Sequence, residues 1–196
     1  GWAVGAFILV RHGSASYDLA EARRLRGGMR DWVPLSPRGV EEAEAAAARL
    51  KGTSARLILS SPMTRALQTA AILSRRLDLP LAVEFDLHEW LPDLTQTYDS
   101  SKVVADAAEE MARCGGEWPE GASRSWEPLS QVRRRVLDVL RRNAQPDGVI
   151  VVCHGTVIPA LTGRPLGCGE HIPYRLPPEA RPPADSPPRQ APPAVR

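Results

Sequence analysis

Two short motifs in this sequence place basic side chains directly after apolar runs. Residues 11–13 read Arg-His-Gly and follow the run 6–10, and residues 154–155 read His-Gly and follow the run 149–153. Arg65 lies shortly after a third apolar run. Such runs, with their β-branched residues, are typical of buried parallel strands. Since ligands bind beyond the carboxyl ends of parallel strands, we expect these basic side chains to converge on one site.

The converging residues could bind and attack a phosphate. Arg11 and Arg65 each offer a planar guanidinium whose donors match phosphate oxygens. His12, as a neutral imidazole, is a candidate nucleophile toward phosphorus. His154, if protonated, would stabilise the equatorial oxygens as negative charge builds on them. The set therefore predicts an anion site that also carries a nucleophile.

Smaller features around these residues also suit an anion. Gly13 and Gly155 each follow a histidine, and a residue without Cβ allows close approach of the backbone. Ser14 could contact phosphate or could instead cap the turn. A helix is predicted to begin at Ser61-Pro62, so that Arg65 would lie one turn inside its N-terminus, where free N–H groups favour anions.

Displacing an alkoxide also requires a proton donor. Glu89 is the candidate, because it is flanked by Leu87, Trp90 and Leu91, and desolvation by apolar neighbours raises the pKa of a carboxyl group. Flanking apolar residues are a weak signal, so a surface carboxylate at this position stays equally open. Asp86 and Asp93 lie nearby and are alternative acids.

Helices between the apolar runs predict how these residues are positioned. Strands are expected at 6–10, 56–60 and 149–153, and strands separated by helices form parallel βαβ units. One helix is predicted from Ser36-Pro37 to Gly52, and another carries apolar residues at helical spacing from Leu129 to Leu140. The expected fold is a three-layer α/β/α sandwich with a mostly parallel central sheet.

The sequence divides into one domain and a tail. Residues 1–176 are predicted to form the domain, and its irregular segment 86–127 is expected to cap the substrate, with a helical patch at 102–113. From residue 177 onward proline pairs recur with almost nothing apolar between them. Such a composition predicts a disordered or polyproline-like tail at 177–196.

Composition restricts the class of protein. The formal net charge is +2, from 25 basic and 23 acidic residues. This near balance predicts neither a nucleic-acid partner nor a membrane surface. Three cysteines without a CxxC pair favour a reducing compartment, and we expect a cytoplasmic protein. No Cys or His pair has metal-ligand spacing, so no metal site is predicted.

Four motifs together resemble the histidine phosphatase superfamily, whose fold is phosphoglycerate mutase-like. They are LVRHG at 9–13, PLSPRG at 34–39, SSPMTRALQTA at 60–70 and VCHG at 152–155. Their order and spacing match the family over roughly residues 6–160.

The resemblance implies a phosphohistidine on His12, phosphate contacts from Arg11, Arg65 and His154, and Glu89 as the acid. It also implies no cofactor and no metal, and it favours the general phosphatase branch of the family.

The resemblance leaves several functions open. We expect a hydrolase of small phosphorylated metabolites. Related mutases usually have asparagine where this chain has Asp18, and this difference disfavours a phosphoglycerate-type mutase. A phosphoprotein phosphatase, a non-catalytic phosphate-binding module and, more distantly, a zinc protein built on His12, His154 and a cysteine remain alternatives.

Overall fold

The structure is a computed structural model, and it describes residues 5–178. Its centre is a five-stranded sheet with the strand order β3-β2-β4-β1-β5. Strands β1 to β4 pair in parallel, whereas β5 runs antiparallel to β1 at one edge. The strands are β1 Ala6–Arg11, β2 Ile58–Ser60, β3 Leu81–Val83, β4 Val149–Cys153 and β5 His171–Arg175.

Helices lie on both faces of the sheet. Two short 3₁₀ helices, Gly27–Trp32 and Phe85–Leu87, occur in the connections. The α-helices are α1 Tyr17–Ala22, α2 Pro37–Leu50, α3 Thr64–Leu77, α4 Ser101–Arg113, α5 Leu129–Arg142 and α6 Val157–Thr162.

Alternating strand residues build two cores. One face of β1 points Phe7 and Leu9 toward α5 and α6, while the other points Ile8 and Val10 toward α2 and α3. Because successive side chains of a strand point to opposite faces, one fully apolar strand can fill both cores. This arrangement confirms the predicted three-layer α/β/α sandwich with a mostly parallel sheet.

The three predicted strands are present, and two strands were missed. β3 has only three residues, too few to show an apolar run or an alternation in the sequence. β5 contains Pro173, which counts against a strand in sequence. Since β5 is an edge strand, a proline that lacks an N–H donor is tolerated there.

The predicted start of α3 was wrong. This helix begins at Thr64 rather than at Ser61-Pro62, and its N-cap residue is Met63. The Ser61 hydroxyl instead accepts a hydrogen bond from the N–H of Met63 at 3.2 Å. Arg65 is therefore the second residue of the helix rather than one turn inside it. The helix from Ser36-Pro37 is confirmed, with the Ser36 hydroxyl accepting from the N–H of Gly39.

Segment 86–127 contains α4 between two irregular stretches, so the helical patch predicted at 102–113 is confirmed. Among the described residues, no helix is long and apolar enough to cross a membrane. The predicted proline-rich tail lies outside the described residues, apart from residues 177 and 178.

Candidate active site

His12 lies at the carboxyl end of β1 and is 4% exposed. Its Nε2 atom accepts a hydrogen bond from Nε of Arg65 at 3.2 Å, and its Nδ1 atom is 2.6 Å from the carbonyl oxygen of Gly13. Because a guanidinium N–H can only donate, Nε2 must carry the lone pair and Nδ1 the proton. Burial and the positive charge of Arg65 lower the pKa of His12 to about 3. The imidazole is thus neutral, with its lone pair on Nε2.

His154 follows β4 and packs against His12, with 5.1 Å between the ring centroids. It is fully buried, and its Nε2 atom is 2.7 Å from the Ser61 hydroxyl. Burial and the nearby Arg65 hold the pKa of His154 well below its usual value. The ring is therefore neutral in this state, and the protonated form considered for phosphate binding is disfavoured.

Two buried side-chain nitrogens in the described part of the chain have no hydrogen-bond partner: Nε of Arg11 and Nδ1 of His154. Buried polar atoms are nearly always paired, so each such atom requires an explanation. The Arg11 guanidinium is held by a bond from Nη1 to the carbonyl oxygen of Leu166 at 2.6 Å. A Cβ at Gly155 would lie 3.0 Å from that guanidinium, so this glycine makes room for Arg11.

Arg65 is positioned by three neighbours in addition to His12. Its Nη1 atom donates to Oδ1 of Asp31 at 3.0 Å, and its Nη2 atom contacts the sulfur of Met63 at 3.4 Å. The guanidinium carbon also lies 5.6 Å from the ring centroid of Tyr17. The side chain of Arg65 is only 4% exposed, so its charge acts in a poorly screened environment.

Glu89 lies on the wall of the same cavity as Arg65. Its Oε1 atom accepts from the N–H of Trp90 at 2.7 Å, and its Oε2 atom accepts from the N–H of Thr156 at 3.2 Å. The second bond ties the Glu89 loop to the segment that follows β4. Burial raises the pKa of the Glu89 carboxyl group, although both hydrogen bonds favour its charged form.

Protein groups already engage Gly13 and Ser14. The N–H of Gly13 donates to the Thr69 hydroxyl at 3.1 Å, and both N–H and hydroxyl of Ser14 donate to the carboxylate of Glu42. A Cβ at Gly13 would lie 2.3 Å from the carbonyl oxygen of Gly39. Gly13 thus allows close packing of α2 against the loop after β1.

The structure adds site residues that the sequence reasoning missed. Asp31, Tyr17 and Thr156 line the cavity beside Arg65 and Glu89. Asp31 and Tyr17 carry no strand-end or helix-cap signal, whereas Thr156 follows His154-Gly155 directly. By contrast, Asp18 is exposed and does not line this cavity, so it supplies no geometric argument against a mutase.

Cys153 points away from the site. Its side chain is buried in the core beneath α5 and α6, and burial raises its pKa to about 12. Within residues 5–178 no group of three or more His, Cys, Asp or Glu side chains could hold a metal ion.

Comparison with known proteins gives the same assignment as the motifs. The family described as "Histidine phosphatase superfamily (branch 1)" matches residues 7–180. A glucosyl-3-phosphoglycerate phosphatase of Mycolicibacterium vanbaalenii is 31% identical over 181 residues, covering 84% of this chain and 75% of that protein. A 2,3-bisphosphoglycerate-dependent phosphoglycerate mutase of a Methylobacterium species is 32% identical over 168 residues, covering 79% and 77%.

A solved structure shares the fold. The mycobacterial glucosyl-3-phosphoglycerate phosphatase in complex with VO3 has a TM-score of 0.65 and 24% identity, covering 86% of this chain and 90% of that one. With the family match spanning most of the sequence, this chain belongs to the histidine phosphatase superfamily.

Proposed function

We propose that this protein is a phosphomonoester hydrolase that works through a phosphohistidine on His12, without a metal or other cofactor, on a small phosphorylated metabolite. The observation that carries the proposal is the pair of buried nitrogens without partners, on Arg11 and His154, beside the lone pair of His12 Nε2. A phosphate dianion would satisfy both nitrogens, since its oxygens accept several hydrogen bonds at once.

Binding would complete the hydrogen bonds of the site. Ser61 already accepts from the N–H of Met63 and can donate its own proton to Nε2 of His154. In that tautomer Nδ1–H of His154 is a neutral donor to the phosphate, and no buried imidazolium is needed. Arg65 would exchange its bond to His12 for one to a phosphate oxygen, which frees the Nε2 lone pair.

The first chemical step transfers the phosphoryl group. Nε2 of His12 attacks phosphorus, the bond from phosphorus to the ester oxygen breaks, and the leaving alkoxide takes a proton from Glu89. Arg11 and Arg65 offset the charge on the phosphoryl oxygens. The raised pKa of Glu89 favours a carboxyl group that still holds its proton at neutral pH.

Water completes the cycle. Glu89, now ionised, removes a proton from a water molecule whose oxygen attacks phosphorus, and the bond from phosphorus to Nε2 breaks. Inorganic phosphate leaves, while His12 returns to its neutral tautomer and Glu89 to its protonated form. The same carboxyl group thus acts first as acid and then as base.

The proposal also covers the capping segment and the cellular compartment. Residues 86–127 would cap the substrate, because Glu89, Tyr98 and Val104 all line the cavity. The cysteines at 114, 153 and 168 are free thiols, which supports a reducing compartment such as the cytoplasm.

The test is phosphate release from a panel of monoesters in the presence of a chelator, with wild type and His12→Ala compared. His171→Ala is the matched control, because His171 lies on β5, outside the cavity. We expect turnover by wild type and control, none above background by His12→Ala, and an acid-labile phosphoenzyme only where His12 is present. Turnover that requires a metal or persists in His12→Ala would overturn this mechanism.

A phosphoglycerate-type mutase is the second candidate, because a mutase is among the relatives. It would isomerise 3-phosphoglycerate without stoichiometric release of phosphate. Binding of phosphate without any turnover would instead indicate a binding module. Turnover confined to phosphorylated polypeptides would indicate a phosphoprotein phosphatase.

A further inference from the structure

The leaving group of the substrate must occupy a cavity that opens beside Glu89 and Arg65. This cavity has a volume of about 320 Å³. Much of its wall is apolar and comes from segment 86–127, namely Trp90, Leu91, Pro92, Val104 and Ala108. Such a wall favours contact with an apolar leaving group.

Both basic residues of the cavity wall are already engaged. Arg65 binds Asp31 and His12, and it would face the phosphate in the complex. Arg30 donates to the carbonyl oxygens of Leu25 and Asp99, to the carboxylate of Glu21 and to the hydroxyl of Ser101. Four of the five N–H groups of Arg30 are thus paired within the protein, and Arg65 is committed to Asp31 and the phosphate, so neither arginine is placed to bind a further anionic group.

Asp31 instead presents negative charge to the leaving group. Its Oδ1 atom accepts from Arg65, whereas its Oδ2 atom has no hydrogen-bond partner within residues 5–178. The phosphate dianion offsets the charges of Arg11 and Arg65, so Asp31 would remain uncompensated in the complex. A carboxylate on the leaving group would be repelled there, while a hydroxyl, amide or ammonium group could donate to Oδ2.

An outer groove continues the cavity, and its wall is also largely apolar with Asp31 in it. It shares Asp31, Met63 and Leu91 with the cavity, and it adds the exposed aromatic side chains Trp32 and Phe85. None of its lining residues is a lysine or arginine. A longer leaving group would therefore meet more apolar surface and no cation.

We infer that the enzyme selects monoesters of neutral or cationic, largely apolar alcohols that carry a hydrogen-bond donor, and that Asp31 rejects leaving groups with a carboxylate or a second phosphate. This inference rests on the proposed phosphatase function. It separates the chain from an enzyme for glucosyl-3-phosphoglycerate, since a phosphoglycerate carries a carboxylate close to its ester.

A matched substrate pair tests the inference. The probes are 4-carbamoylphenyl phosphate and 4-carboxyphenyl phosphate, which have nearly the same shape and differ in charge. We expect wild type to prefer the amide in kcat/KM by about tenfold or more, as like charges a few ångströms apart in a partly desolvated site would produce. Asp31→Asn keeps an acceptor for Arg65 and should bring the ratio of the two rates close to that of the uncatalysed esters.

The ratio of the two kcat/KM values reports the effect of charge alone, because any general damage to Arg65 affects both probes alike. A second variant, Val104→Lys, places a cation on the α4 side of the cavity wall without changing Asp31, with Val104→Gln as its neutral control. It should raise the relative rate of the carboxylated probe several-fold by the same electrostatic argument.

The possible failures are distinguishable. Equal rates on the two probes in wild type, or a ratio unchanged in both Asp31→Asn and Val104→Lys, would overturn the inference while leaving the phosphatase intact. Hydrolysis of neither probe nor any other monoester would overturn the proposed function and the inference together.

Discussion

The cavity has a reacting end, formed by His12, Arg65 and His154, and a far wall formed by α4. These two regions are built differently. His12 and His154 follow directly on β1 and β4, and Arg65 on α3 lies shortly after β2; all three side chains are buried. On the far wall, α4 has no fully buried residue, and Ser101 at its start is tied to Glu21 and Arg30 by side-chain bonds. The strand ends position the reacting residues, whereas the shape of the leaving-group site depends partly on α4, which packs only through half-buried residues.

The largest expected effect removes the proton donor at the reacting end. Glu89→Gln keeps the size of the side chain but cannot transfer a proton, so kcat/KM on an alkyl phosphate, which reports the steps up to phosphoryl transfer, should fall about 10²- to 10⁴-fold. The loss on 4-nitrophenyl phosphate should be smaller, because its leaving group needs little protonation. Equal losses on the two esters, measured by steady-state kinetics, would contradict the role of Glu89 as acid.

Arg135 on α5 joins the two ends of segment 86–127. It pairs with the buried carboxylate of Glu127 at 2.7 Å and donates to the carbonyl oxygens of Asp86 and His88, which precede Glu89. Arg135→Met should lower the free energy of unfolding by about 3–5 kcal/mol, because it leaves Glu127 unpaired and buried.

Arg134→Met is the matched control for this prediction, since Arg134 is exposed on the same helix. Its effect should stay within about 0.5 kcal/mol. Denaturant unfolding of both variants measures the difference, and similar losses would show that Arg135 does not hold the Glu89 loop.

Acid stability tests the burial of the reacting end. The unfolded chain protonates His12 near pH 6.5, whereas native His12 has a pKa of about 3. Between these values the unfolded state binds more protons, so stability falls as the pH drops, by at most about 1.4 kcal/mol per pH unit for this group. His12→Gln should show a shallower dependence in denaturant titrations from pH 7 to 4. Parallel curves would mean that His12 is accessible to protons in the native state.

The smallest effect concerns the far wall. Arg30→Met removes the bonds to Glu21 and Ser101 that hold the start of α4, so KM should rise several-fold while kcat changes little. Arg26→Met is the control, because within residues 5–178 the Arg26 side chain forms only a long, exposed pair with Asp99 at 3.9 Å. A drop in kcat without a change in KM would indicate that Arg30 acts on the reacting end instead.

Local sequence patterns predicted more of the reacting end than of the far wall. The apolar runs and the motifs that follow them gave β1, β4 and the convergence of His12, Arg65 and His154. The start of α3 was misplaced because a serine-proline pair resembles a helix cap, whereas the Ser61 hydroxyl bonds to His154 and to the N–H of Met63. β5 was missed because proline in a strand is tolerated only at an edge, and edges are known only from the assembled sheet.

By itself, the amino-acid sequence determined the layered fold, the family and the strand-end residues, because strand runs, caps and motifs are patterns of near neighbours along the chain. Only the tertiary structure decided the tautomer of His12, the partners of Glu89 and the presence of Asp31 beside Arg65. Asp31 and Arg65 are 34 positions apart, and no period or motif relates them. Their contact arises because the 3₁₀ helix Gly27–Trp32 packs against α3, and this packing decides the charge that the leaving group meets.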